Sequence, residues 1–200
     1  MKQLTTYIKE DFKISRKVNV HKYHPKTFQE LRAIILKKYK YNKGNEYLDL
    51  CDIDVTNVDT FYPEKSKVNL FSYTYTEGIP VKIINITGWN TSNQETFCCM
   101  FAQCKKLEKI IGIEDLDASM VSDFDGMFYD CENLRELDLS KWFMQHEPNV
   151  RRMFFNCSRL HTLKGVEDWV VSQKKVHAFT GCKTTILPSW YDRINDEPNT

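Results

Sequence analysis

Apolar positions along this chain return as one string. The segment Met127-Phe128-Tyr129-Asp130-Cys131-Glu132-Asn133-Leu134-Arg135-Glu136-Leu137 reads Met-Phe-x-x-Cys-x-x-Leu-x-x-Leu. It occurs upstream as Met100-Phe101, Cys104, Leu107 and Ile110, and downstream as Met153-Phe154, Cys157, Leu160 and Leu163. A worn copy follows at Ala178-Phe179, Cys182 and Thr185. The cysteines step by 27, 26 and 25 residues, so several matched positions stay in phase over three periods. Self-similarity at such a period indicates a repeat architecture, in which one unit cannot bury its apolar face alone.

The rest of each period comes in two alternating types. Ile84-Asn85-Ile86-Thr87-Gly88-Trp89 aligns with Leu137-Asp138-Leu139-Ser140-Lys141-Trp142. A type one residue longer relates Ile110-Ile111-Gly112-Ile113-Glu114-Asp115-Leu116 to Leu163-Lys164-Gly165-Val166-Glu167-Asp168-Trp169. Alternation of apolar and polar residues around Leu137 and Leu139 predicts a short strand, with Glu136 and Asp138 outward. Phe101, Cys104 and Leu107 lie three apart, which predicts a short helix or turn closing the other side. The predicted fold is therefore an α/β repeat: a short right-handed leucine-rich-repeat solenoid with an N-terminal helical cap. The tryptophan column Trp89, Trp142 and Trp169 keeps a fixed phase and is read as core.

Thr27 to Tyr39 carries the cap signature. Thr27 and Glu30 form a capping box, Leu31, Ile34 and Ile35 make an apolar stripe, and Lys37 and Lys38 suit the helix C-terminus. The organisation read from the chain is a basic leader and helical cap over 1–47, a degenerate half-repeat and connector over 48–80, a repeat array over 81–187 and a tail over 188–200. In the first ten residues, Leu4, Tyr7 and Ile8 share a helical face, predicting an extra cap helix.

These strings resemble the BspA-type leucine-rich-repeat family, whose units run Leu-x-x-Leu-Asp-Leu-Ser-x-Trp and onward to Met-Phe-x-x-Cys. The resemblance covers about Val81 to Cys182, and the leader Tyr23-His24-Pro25-Lys26-Thr27-Phe28-Gln29-Glu30-Leu31 is similar too. Asp59 to Gly78 lacks the Met-Phe string and Phe143 to Asn149 replaces the usual Asp-Thr-Ser. What the resemblance implies is a fold and a generic role in binding or adhesion. The opening Met-Lys-x-x-x-x-Tyr-Ile-x-Glu is similar to capsid-targeting leaders on internal proteins of some tailed bacteriophages, which implies the alternative of a virion-associated or structural protein.

Composition then narrows the function. A 42% hydrophobic and 13% aromatic content describes a globular chain, with no apolar run long enough to span a bilayer. The opening lacks the apolar core and cleavage site of a secretory signal, so synthesis in a cytoplasm and reduced cysteines are expected, with virion association the alternative location. The net charge of +1 hides an asymmetry: Met1 to Gly44 holds 12 Lys/Arg against 3 Asp/Glu, the remainder 16 against 24. A basic arm can fold onto its own acidic body, or meet an acidic partner or nucleic acid; nucleic acid is the weaker alternative.

The seven cysteines include no Cys-x-x-Cys, and the adjacent pair Cys98-Cys99 suits neither a zinc knuckle nor an easy disulfide, so no metal and no cofactor is expected. His21, His24, His146 and His161 assemble no catalytic dyad, and no phosphate-cradling loop occurs among the seven glycines, so no enzymatic activity is expected. What remains is the outward row of the strands: Ile83, Asn85 and Thr87; Lys109 and Ile111; Glu136, Asp138 and Ser140; Thr162 and Lys164. That row is the expected contact face of a non-enzymatic protein-binding module, for a protein partner the residues do not name.

Overall fold

The computed structural model describes residues 21–42, 44–63, 68–73, 77–183 and 187–193. The cap helix and targeting leader read at Met1 to Glu10 lie outside them. Among the described residues there is one α-helix, α1 (Phe28–Tyr41). Five strands of three residues follow: β1 (Tyr47–Asp49), β2 (Ile83–Asn85), β3 (Lys109–Ile111), β4 (Glu136–Asp138) and β5 (Thr162–Lys164). They form two parallel sheets, β1-β2-β3 and β4-β5. No helix of the described residues is long and apolar enough to cross a membrane.

Helix α1 begins as its sequence directs. Thr27 is extended and its Oγ1 accepts from Glu30 N at 3.2 Å. Glu30 Oε2 accepts from Lys26 N at 2.8 Å, one residue earlier than a capping box requires. A further cap comes from far along the chain, where Asp59 Oδ1 accepts from Phe28 N at 2.9 Å. Phe28, Leu31 and Ile35 are buried and join the common core.

The Met-Phe strings form no helices, and the reason is in the backbone. Each carries two left-handed residues four positions apart: Cys99 and Gln103, Gly126 and Asp130, Arg152 and Asn156, His177 and Gly181. Their N–H groups divide in two. Met127, Tyr129 and Cys131 donate to carbonyls three residues back (Phe124, Gly126, Phe128), whereas Gly126, Phe128 and Asp130 donate onward to Arg151, Met153 and Phe155. A helix would send every one of them four residues back. The 25–27-residue sequence period thus reappears as hydrogen-bond register between successive copies. It also aligns the phenylalanines: Phe71, Phe101, Phe128, Phe154 and Phe179 stack with ring centroids 4.7, 5.7, 5.7 and 5.0 Å apart. Each such aromatic contact contributes about 0.5–1.5 kcal/mol beyond its buried area.

The cysteines Cys104, Cys131, Cys157 and Cys182 are buried beside this stack. Cys131, Cys157 and Cys182 also donate S–H to the carbonyls of Phe101, Phe128 and Phe154, at 3.1, 3.1 and 2.9 Å. A small side chain with a weak donor serves a place that a purely apolar one would leave with an under-satisfied carbonyl.

The strands do not run on as one sheet. In the longer type, Gly112 and Gly165 adopt φ +85° and +83°, folding back on the shorter type before them; a Cβ would lie 2.8 Å from Thr87 Cα at Gly112 and 2.3 Å from Ser140 Cα at Gly165. A short type followed by a long one therefore pairs closely, as β2 with β3 and β4 with β5. After β3 the chain instead enters a 3-10 turn, Ile113–Asp115, and the ladder to β4 is lost. The expected leucine-rich-repeat solenoid with its helical cap is corrected accordingly. The described residues fold as one helix, two small parallel sheets and stacked turns.

Candidate interaction surface

Where the sheets part, side chains replace backbone bonds. Arg135 N still donates to Glu108 O at 3.3 Å, and beyond it four ion pairs cross the seam. They are Lys105–Glu132 at 3.1 Å, Lys109–Glu136 at 2.6 Å, Glu108–Arg135 at 3.3 Å and Asp115–Lys141 at 2.5 Å. A shallow cleft of about 280 Å³ opens there, lined by β3, Ile113, Glu114, β4, Thr162 and Lys164. The bond from Lys109 Nζ holds the Glu136 carboxyl below the usual range.

The ten residues of the expected contact row separate into three groups. Ile83 and Asn85 are buried, so neither belongs to an exposed contact row. They lie on β2, the middle strand, with β1 and β3 on either side. The Asn85 amide donates to Tyr47 Oη at 3.1 Å and Asp49 Oδ1 at 3.0 Å, and its oxygen accepts from the amide and hydroxyl of Thr87. Thr87 and Ile111 are half-buried. Lys109, Glu136, Asp138, Ser140, Thr162 and Lys164 share one surface around the seam, though much of it is paired internally. Asp138 lies 3.6 Å from Lys164 Nζ and accepts from Ser140 N and Oγ at 3.1 and 2.5 Å; these Ser140 bonds, first of all, keep its carboxyl low.

Next to this row lies a larger groove of about 760 Å³ that the strand pattern did not indicate. Its walls include Ser140, Trp142, Phe143, Met144, Lys164, Trp169 and Val170. Phe143 and Val170 are each 69% exposed, more than any other large apolar residue described except Tyr41. Ser140 and Lys164 belong both to the expected row and to this groove, so the two surfaces are continuous. The rim is acidic, with Glu147, Glu167 and Asp168 exposed, against Lys164.

The tryptophan column, two of whose members line the groove, is buried. Trp89 Nε1 donates to Leu50 O at 3.1 Å and Trp142 Nε1 to Ile113 O at 2.9 Å. Trp169, stacked on Trp142 with centroids 6.4 Å apart, keeps a buried Nε1 with no hydrogen-bond partner among the described residues. The signal that could have found one wall of this groove was the departure itself: Phe143 to Asn149 leaves the repeat pattern where Phe143 reaches solvent.

Of the histidines, His21 and His24 meet edge to face with ring centroids 6.4 Å apart. His24 Nδ1 lies 3.2 Å from Asp54 Oδ2, but that carboxylate is held low chiefly by its hydrogen bonds with Thr56. Among the described residues no cluster of three or more His, Cys, Asp or Glu is arranged to hold a metal.

No curated protein and no solved structure matches the chain. One family model does match, over residues 65–186, and it is not that of a BspA-type leucine-rich-repeat family, which corrects the resemblance drawn from the Met-Phe-x-x-Cys strings. With well over half its length covered by that model, the chain belongs to the family described as "Mycoplasma protein of unknown function, DUF285".

Proposed function

We propose that the protein is a non-enzymatic binding module for another protein. The observation that carries this reading is the groove with Phe143 and Val170 exposed in its walls beside the polar row of β4 and β5. Both residues line one groove, and an apolar centre with a polar rim is the usual anatomy of an interface. Glu147, Glu167 and Asp168 favour a segment that carries an apolar anchor flanked by Lys or Arg.

The test is a peptide-display selection against the intact protein and against a Phe143→Ser/Val170→Ser variant. The reading expects selected peptides to pair an aromatic or aliphatic residue with basic neighbours and to lose capture by the variant. Selection of acidic peptides, or equal capture by both proteins, would overturn it.

A further inference from the structure

Seven free cysteines occupy three kinds of place. Four belong to the buried column beside the phenylalanine stack. Cys51 is half-buried, and burial with Asp49 and Asp52 nearby pushes its thiol up to about 12. Cys98 and Cys99 fit neither description. In the succeeding copies their positions are held by Asp125 and Gly126, Arg151 and Arg152, then Val176 and His177, so packing imposes no thiol there. Cys99 moreover stands at φ +53°, a conformation that favours glycine.

The pair is close. Cys98 Sγ donates to Cys99 Sγ at 3.6 Å, and Cys99 Sγ donates to Asp125 O at 3.6 Å. The next residue along Cys99's column is Gly126, which places no side chain over the sulfur; a Cβ there would lie 3.4 Å from it. The following one is Arg152. We propose that Cys98 and Cys99 form a thiol-exchange site at which Cys99 takes up one half of a low-molecular-weight disulfide. The Cys98 bond first, and Arg152 more weakly, hold the Cys99 thiol below its ordinary range against the opposing effects of burial, Asp125 and Asp123. A thiolate is the attacking species in such exchange.

In the reaction the Cys99 thiolate attacks one sulfur of the disulfide R–S–S–R. A bond forms between Cys99 Sγ and that sulfur, the original S–S bond breaks, and its electron pair leaves on R–S⁻, which takes up the proton Cys99 lost. Cys99 is oxidised to the mixed disulfide while half of the reagent is reduced to a thiol. Attack by Cys98 on Cys99 would expel the second half and close a ring between neighbours. Adjacent Cα atoms lie about 3.8 Å apart, short of the ~4.4–6.8 Å that disulfides span without strain, so the mixed disulfide persists and free thiol reverses it.

The experiment incubates the full chain with glutathione disulfide under native conditions and maps adducts by mass spectrometry. One adduct per chain is expected, on Cys99, forming about tenfold or more faster than any on Cys51, and removed by reduced glutathione. Cys98→Ala should slow uptake with an unchanged melting curve, and Cys98→Ser, which restores a donor, should recover part of the rate. Cys99→Gly suits the backbone and should fold while taking up nothing at this site. First modification at Cys51 or in the buried column, no adduct at all, a closed pair lacking two hydrogens, or a Cys98→Ala rate equal to wild type would each overturn the proposal.

Discussion

Asp138 takes hydrogen bonds from the amide and the hydroxyl of Ser140, two residues on. The same turn is built at Asp54 with Thr56, Asn85 with Thr87, Asp117 with Ser119 and Asn149 with Arg151. An outward carboxylate can therefore belong to the fold: the side chain ends the strand by offering the backbone an alternative acceptor. Asp138→Ala should cost about 0.5–1.5 kcal/mol in a denaturant titration, whereas Asp138→Asn, which keeps an acceptor, should cost little. Inward Leu137, 2% exposed, behaves differently: its replacement by Ala should cost about 2–5 kcal/mol. A loss at Leu137 no larger than the scatter of surface substitutions would mean the β4 register is wrong. The alternation that sets Leu137 in and Glu136 out was readable from the chain, because burial of one strand face obeys a period of two. The Asx turns were not read, since their donors lie in the backbone.

Among elements, the alternation of short and long units had a consequence that only the geometry exposes. Each long unit brings a left-handed glycine onto the short unit before it, and β3 then yields to a 3-10 turn instead of pairing with β4. Gly165→Ala places a Cβ 2.3 Å from the Ser140 backbone at φ +83°. It should cost more than about 1 kcal/mol and loosen amide protection in β4 and β5, read by hydrogen exchange. Unchanged protection there would show that the glycine contact does not hold the pair together. The Met-Phe-x-x-Cys spacing suggested helices because residues three apart also share a face in stacked turns. Apolar spacing alone does not separate the two, and the left-handed positions that do are filled by Cys, Gln, Asp, Arg, Asn and His as well as Gly. The cysteine column was legible as core. Thiol titration should find Cys104, Cys131, Cys157 and Cys182 slow in the native protein and all seven cysteines reactive after denaturation without reductant. Fewer than seven would mean a disulfide.

At the scale of the molecule, carboxylates set the acid limit of stability. Hydrogen bonds hold Asp54, Asp117, Glu136 and Asp138 below their ordinary range, while burial raises Asp125. A lowered folded pKa contributes stability that is present above the unfolded value, about 4, and lost as pH falls through the folded one. Asp125 works in the opposite sense; from the four lowered groups the melting temperature should fall as pH drops below about 4. A flat profile there would contradict the assigned bonds. The surface that this fold presents follows from where the pattern breaks. The strand row, expected as the contact face, is largely paired internally, while the groove arises beside Phe143 to Asn149, which replace the usual Asp-Thr-Ser of the unit although the cysteine period is kept. The most direct measurement is calorimetric titration of a display-selected peptide into the intact protein and two double variants. The account predicts that Phe143→Ser/Val170→Ser weakens binding about tenfold or more, whereas Glu136→Gln/Asp138→Asn changes it little. Loss of binding in the Glu136/Asp138 variant with full affinity in the groove variant would contradict it.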